Sequence, residues 1–152
     1  MPHIHEKIDF VADAYIVHQG RVLLRMHDKY KIWLPPGGHI ELDEDPNQAA
    51  IREAKEEVGL DIELMGSAPL KKDGREGLLP PRFMHRHKIS DVHEHISLAY
   101  FATSKTDHIQ QGDTEVSDHV RWFTDKELDD PAYGIEESIR HYAHAALKAT
   151  SL

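Results

Sequence analysis

The stretch from Asp45 to Gly59 is bounded at both ends by residues that fix a helix, and it constrains the chain more than any other segment. Asp45 can cap the first turn with its carboxylate. Pro46 suits the first helical position, where a backbone N–H has no partner anyway. Gly59 is a natural stop because it turns left-handed without strain. Between them Ala50, Ala54 and Val58 recur every four residues with Ile51 beside them, a small-residue face able to lie close on a sheet. Glu53, Glu56 and Glu57 stand at i, i+3 and i+4, so the same helix brings three carboxylates together one turn apart. Like charges at these spacings repel, and something positive should lie over them. Arg52 reaches Glu56 at i+4, but one arginine does not neutralise three acids. A divalent cation does. Oxygen-only ligands in a chain without Cys point to a hard ion, Mg²⁺, Mn²⁺ or Ca²⁺. The plainer reading is a solvated face with Arg52 and Lys55 making surface pairs. Three acids on one edge, close after the turn Pro35-Pro36-Gly37-Gly38, weigh against it.

Around this helix the chain reads as strands. Asp9–Val17 is β-branched and aromatic, Gln19-Gly20 is a turn, and Arg21–Met26 is the hairpin partner. Lys31–Leu34 is a short strand that Pro35-Pro36-Gly37-Gly38 ends, and residues 39–45 form an acidic loop. Asp61–Leu64 begins another strand, and Lys71–Pro81 is polar, Gly- and Pro-rich, and read as a loop. Strands follow near Phe83–Ile89, His95–Thr103 and Val120–Phe123. Beyond Pro131, Ile135, Ile139, Tyr142, Ala146 and Leu147 follow helical spacing. Helices are few and do not separate the strands one by one. The expectation is an α+β fold, a mixed sheet with helices packed on it, and not a doubly wound parallel sheet. At 152 residues the chain is expected to form one domain, residues 1–152.

Charge locates the chemistry. Residues 41–57 hold seven acids and two bases, which accounts for more than half of the net charge of −9. Such a focus attracts cations and repels bare phosphate, unless metal ions stand between them. An acidic chain also argues against binding a nucleic acid polymer. The absence of Cys excludes disulfides, thiolate nucleophiles and Cys-ligated zinc. No apolar run is long enough to span a bilayer, and the start does not read as a signal peptide. A cytoplasmic location without membrane association is therefore the default expectation.

The segment Gly38 to Leu60 runs Gly38, five residues, Glu44, seven residues, then Arg52-Glu53-Ala54-Lys55-Glu56-Glu57-Val58-Gly59-Leu60. It resembles the signature of the Nudix hydrolase (MutT-like) family, GX5EX7REUXEEXGU with U aliphatic. All the fixed residues match, Leu60 fits U, and Ala54 fits loosely. The resemblance implies an α/β/α sandwich around a mixed sheet, with the box as a loop–helix–loop. It implies divalent-metal-dependent hydrolysis of a nucleoside diphosphate linked to another moiety. On that resemblance Glu53, Glu56 and Glu57 are metal ligands, and one of them or a downstream acid activates water. Gly38 offers a carbonyl near the metal. Arg52 holds a Glu in place, Glu44 pairs with Arg52, and Gly59 ends the helix. Mg²⁺ is the implied ion, with Mn²⁺ an alternative. Family members often supply a further Glu before the last strand. Glu115 is placed for that role, with Asp118 and Glu94 as weaker candidates; the ordinary reading of each is an exposed carboxylate.

The chemistry agrees with the residues. Water adding to phosphorus spreads negative charge over the nonbridging oxygens, which divalent ions neutralise. No Ser–His–Asp elbow, P-loop or GxGxxG competes. Asp43, Asp45 and Asn47 begin like an EF-hand loop, but Gln48 and Ala54 stand where Gly and Glu are needed. His85, His87, His93 and His95 could share one sheet face and hold zinc, although strand histidines are more often surface or packing residues. His3, His5, His141 and His144 take the same ordinary reading.

Substrate identity lies outside the box. In the ADP-ribose subgroup a proline often follows about fifteen residues later; here Arg75 stands there. Longer signatures for NADH and coenzyme A hydrolysis are absent. This leaves a nucleoside triphosphate pyrophosphohydrolase ahead, with a sugar nucleotide, ADP-ribose or dinucleotide as alternatives and a non-catalytic nucleotide- or protein-binding domain as the contrasting class. Tyr30, Trp33, Phe83 and Tyr100 are candidates to stack on a base. Arg21, Arg25, Lys31, Arg82 and Arg86 are candidates to meet phosphate. The partner expected is a small nucleotide; a homodimer is left open.

Overall fold

The structure, a computed structural model, describes residues 7–67, 70–111 and 119–151. Strand β1 (Ile8–His18) turns into β2 (Arg21–Met26) through Gln19 and Gly20, both left-handed at φ 47° and 74°. That is the two-residue turn whose twist suits a hairpin. β3 (Trp33–Leu34) pairs with β2, and β4 (Gly37–His39) pairs with β1. Helix α1 (Pro46–Val58) leads to β5 (Ile62–Leu64) and to a small hairpin of β6 (Lys71–Lys72) and β7 (Arg75–Glu76). β8 (Phe83–Ser90), β9 (His93–Ser104) and β10 (Val120–Thr124) follow, then a one-turn helix α2 (Asp125–Leu128) and α3 (Glu137–Thr150). Among the described residues no helix is long and apolar enough to cross a membrane.

The sheet is mixed, in the order β10-β2-β1-β9-β5, with β3, β4 and β8 attached to β2, β1 and β9. β1 and β9 run parallel from Ile8↔Glu94 to Val17↔Thr103, and the other pairings are antiparallel. β1 divides the molecule by simple alternation. Its Ala12, Ala14 and Ile16 lie with Ala49, Ala50, Ala54 and Val58 of α1. Its Tyr15 and Val17 lie with Ile139, Ala143, Ala146 and Leu147 of α3. The result is the expected α/β/α sandwich. Alternation also puts Asp9, Val11 and Asp13 on the α3 side.

α1 starts and stops where its sequence dictates. The Asp45 side chain accepts from Gln48 N, and the Gln48 side chain returns the favour to Asp45 N. Gly59 closes the helix at φ 72°, and its N–H donates to the Lys55 carbonyl. Ile51, expected beside the buried face, is exposed; Ala49 is buried instead. The small residues explain the close approach of helix to sheet.

Three expectations are corrected. Gly37–His39 does not fall in a loop but forms β4, with Val11↔His39, Ala12↔Gly38 and Asp13↔Gly37. A Cβ on Gly37 would stand 2.6 Å from the Ala12 carbonyl oxygen and 2.9 Å from Asp13 Cα. The glycine is there so that two backbones can meet, not to break the strand. Lys71–Pro81 is not wholly a loop, since Asp73-Gly74, both at positive φ, turns β6 into β7. The helix α2, absent from the sequence reading, is set by a capping box between Thr124 and Glu127.

Candidate active site

Arg52 organises the acidic edge of α1. Its Nε and Nη2 donate to the two Glu44 carboxylate oxygens at 2.9 and 2.7 Å. Its Nη1 donates to Glu53 Oε1 and to Glu56 Oε2, each at 3.1 Å, and Nη2 also donates to the His39 carbonyl at 3.0 Å. The planar fork suits bidentate pairing, and here it ties the loop, β4 and the helix together. Hydrogen bonding to Arg52 holds the Glu44 carboxyl below its usual range.

The third acid has its own cation. Glu57 is buried, and Arg25 Nη1 of β2 donates to its Oε2 at 2.8 Å. Two arginines from two elements therefore face the three acids. Arg25 was read as a phosphate contact, and the residue opposite it in space was invisible in the local pattern. Burial raises the Glu53 carboxyl, while Arg52 and a hydrogen-bonding contact with Glu57 pull it down; the net direction is up. Gly38 lies so close that a Cβ there would stand 2.4 Å from Glu53 Oε1. Glu53, Glu56 and Glu57 with Gly38 therefore present one oxygen-rich patch, the donor chemistry that hard divalent ions take.

Asp13 is a residue that the sequence reading missed. Burial raises its carboxyl to about 7, against a hydrogen bond from Ser97, with the Glu53 charge adding to the rise. The signal was present. In the run Val11–Tyr15, alternation turns Asp13 to the same covered face as its two apolar neighbours, and an acid in that position is unusual.

Asp13, Arg25, Gly37 and Gly38 border a cavity of about 580 Å³, with Tyr30, Leu34, His39, His95 and Ile139 further round its wall. That is the size of an ordinary small-molecule site. Of the four aromatic candidates only Tyr30 lines it, stacked on His27 at 4.8 Å between ring centres. Trp33 packs edge-on against Phe123, Phe83 stacks on Tyr142 at 4.5 Å, and Tyr100 is buried against α1. Most of the proposed phosphate-binding cations are engaged elsewhere. Arg21 pairs with Asp107, Arg86 with Glu94, and Arg82 lies over the Phe101 ring. Glu94 is accordingly held by Arg86 and Lys7. Glu115 and Asp118 lie outside the described residues, as do His3 and His5.

The strand histidines do share a face, because His87 stands opposite His95 and His85 opposite Ser97. His85 and His87 are not the tightest group, however. Asp9, His39, His93 and His95 bring one ligand atom each within 4.8 Å of one another. His144 is not an idle surface residue either: its two ring nitrogens meet Asp125 and Asp129.

A family model described as the NUDIX domain matches residues 10–144. The chain belongs to the Nudix family. This Nudix chain is similar to the crystal structure of a NUDIX-family hydrolase from Clostridium perfringens, at 33% identity and a TM-score of 0.84, covering 94% of this chain and 98% of that one. It is 37% identical over 68 residues to an RNA pyrophosphohydrolase of Methylococcus capsulatus. It is 55% identical over 31 residues to the m7GpppN-mRNA hydrolase NUDT17 of Danio rerio. The matched stretches cover 45% and 20% of this chain, but only 36% and 10% of those two proteins. The Nudix likeness therefore establishes family and fold across the chain, whereas the curated relatives speak for segments of it.

Proposed function

We propose that this Nudix protein hydrolyses a phosphoanhydride bond in a nucleoside diphosphate linked to another moiety, and that its substrates are nucleoside triphosphates cleaved to monophosphate and pyrophosphate. The observation that carries the reading is the set Glu53, Glu56 and Glu57, fixed by Arg52 and Arg25 beside a nucleotide-sized cavity. The C. perfringens hydrolase and the pyrophosphohydrolase relative support it. Glu53, Glu56, Glu57 and Gly38 would hold Mg²⁺, with Mn²⁺ as a substitute, and Glu115 is proposed as a further ligand. The bound ion supplies charge neutralisation for the phosphate oxygens.

The residues themselves do the rest. Arg52 holds Glu53 and Glu56 against their mutual repulsion, and Glu44 holds Arg52. Arg25 Nη1 donates to the buried Glu57 carboxylate and fixes its position. Glu53 is the acid we assign to take the proton of the attacking water. Burial raises its proton affinity, and Arg52 Nη1, donating to Oε1 at 3.1 Å, opposes that rise and holds the carboxylate in place. The water oxygen bonds to phosphorus as the bridging P–O bond breaks, and the proton leaves on the carboxylate.

A screen of nucleoside triphosphates, nucleotide sugars, ADP-ribose and dinucleotides with Mg²⁺ and Mn²⁺ tests the reading, run in ¹⁸O-labelled water to locate the phosphorus attacked. Glu56→Gln and Glu57→Gln should each cut turnover by more than about 100-fold with the fold retained. Equal rates in both variants and wild type would reject the site. Saturable nucleotide binding with no phosphate product under either ion would identify a binding domain instead.

A further inference from the structure

Beside the part of the cavity wall formed by His39 and His95, three neighbouring strands each turn metal-ligating groups to the same face of the sheet. Asp9 comes from β1, His39 from β4, and His93 and His95 from β9. The register explains the convergence. Asp9 stands opposite His95 in the parallel pair, and His39 stands opposite Val11, two residues along β1 on the same side. His93 and His95, two apart on β9, fall on one face for the same reason.

The distances are those of a coordination shell. His93 Nε2 lies 3.1 Å from Asp9 Oδ2 and 3.1 Å from His95 Nε2. His39 Nε2 lies 3.7 Å from Asp9 Oδ2, and all four ligand atoms lie within 4.8 Å of one another. Ligands about 2.0–2.1 Å from a tetrahedral zinc ion are about 3.3 Å apart along each edge. Hydrogen bonding accounts for the group less well. Two imidazole Nε2 atoms face each other, and a neutral ring can place only one proton between them. That proton cannot also satisfy the carboxylate in a full bond.

We infer that Asp9, His39, His93 and His95 form a closed, four-ligand site for a borderline transition ion of the zinc class, separate from the carboxylates of α1. Three imidazoles with one carboxylate and no thiolate select Zn²⁺ over Mg²⁺, because nitrogen ligands suit the softer ion. Four protein ligands leave no open position, so the ion is a staple between strands and not a second hydrolytic centre. Its place gives the staple a purpose. His39 follows Gly38, which lies against Glu53, and the His39 carbonyl accepts from Arg52 Nη2. Anchoring the His39 ring to β1 and β9 therefore fixes the short strand that borders the acidic patch.

The test uses the whole protein, stripped of metal with a chelator and held in excess Mg²⁺ so that hard-ion sites are filled. Zn²⁺ is titrated by calorimetry, and thermal unfolding is followed with and without it. The expected result is one equivalent of Zn²⁺ bound per chain with a rise in Tm. Co²⁺ in its place should show the intense visible bands of a tetrahedral ion. Asp9→Asn and His95→Gln should each weaken Zn²⁺ roughly tenfold or more. His39→Ala, at an exposed ring, should do the same, while Glu56→Gln should leave Zn²⁺ affinity unchanged. Zn²⁺ affinity that survives all three ligand variants, disappears with Glu56→Gln, or comes with weak octahedral Co²⁺ bands would overturn the site.

Discussion

Arg25 Nη1 donates to Glu57 Oε2 at 2.8 Å, and the pair joins β2 to α1 with both side chains almost wholly buried. A buried ion pair of this kind is held less by its own attraction than by the cost of breaking it, since either partner alone is an uncompensated charge. Arg25→Met should therefore lower stability by about 3–5 kcal/mol in metal-free buffer. Glu57→Gln, which leaves hydrogen-bonding capacity in place, should cost less. The double variant should be clearly more stable than the two single losses added together. Urea unfolding of the four proteins measures this, and strict additivity would show that the two residues do not act as a pair.

Arg52 poses a different question, because its charge and its shape can be separated. Its fork meets Glu44, Glu53, Glu56 and the His39 carbonyl at once. Lysine keeps the charge and loses the fork. Arg52→Lys should reduce kcat by about 10–100-fold and weaken Mg²⁺ by a similar factor, with a far smaller change in Tm. Steady-state kinetics across a Mg²⁺ series reads both. A variant with wild-type kcat and Mg²⁺ dependence would show that the charge alone suffices.

The two adjacent glycines separate folding from chemistry. At Gly37 an added Cβ meets the Asp13 carboxylate and, behind it, backbone, the Ala12 carbonyl oxygen at 2.6 Å and Asp13 Cα at 2.9 Å. At Gly38 it meets the Glu53 carboxylate, the end of a side chain, at 2.4 Å. Backbone cannot step aside, so Gly37→Ala should cost about 1–3 kcal/mol of stability, as overpacking usually does. A side-chain end can move, so Gly38→Ala should fold nearly as well and lose activity by displacing Glu53. Thermal unfolding and turnover measured on both variants check the contrast; it fails if Gly38→Ala is the less stable of the two.

What the sequence made legible follows from this distinction between local and distant causes. Asp45-Pro46 and Gly59 mark the ends of α1 because capping is decided within a few residues. Gln19-Gly20 marks the first hairpin for the same reason. Asp73-Gly74 carried the same signal for β6 and β7, and the polar composition around it obscured the reading. The role of Gly37 was not legible, because it depends on what lies across the sheet. Arg25 is the same case: from its own strand it is a cation between apolar residues, and only the fold sets Glu57 opposite it. The box acids were readable as a cluster because helical periodicity alone assembles them. Asp9, His39, His93 and His95 come from three strands, and only strand register brings them together.

The last prediction concerns pH and lies away from the cavity. His144 of α3 places Nδ1 2.6 Å from Asp125 and Nε2 2.8 Å from Asp129, both in or beside α2. A neutral ring can donate to only one of them, whereas the imidazolium donates to both. Burial pushes its pKa down, but the hydrogen bonds to Asp129 and Asp125 outweigh burial and raise it above the ordinary value. A raised folded-state pKa means that the folded protein holds the proton more tightly than the unfolded chain. The stabilisation is complete below the unfolded value, about 6.5, and fades as pH rises through the folded one. His144→Gln should therefore lower Tm at about pH 5.5 and lower it much less at about pH 9. Asp13, also raised, acts with the same sign, losing its stabilising contribution as pH rises toward about 7. It is present in both proteins, so the difference between them isolates His144. A Tm difference between wild type and His144→Gln that stays constant across this range would show that the histidine holds α2 to α3 without its charge.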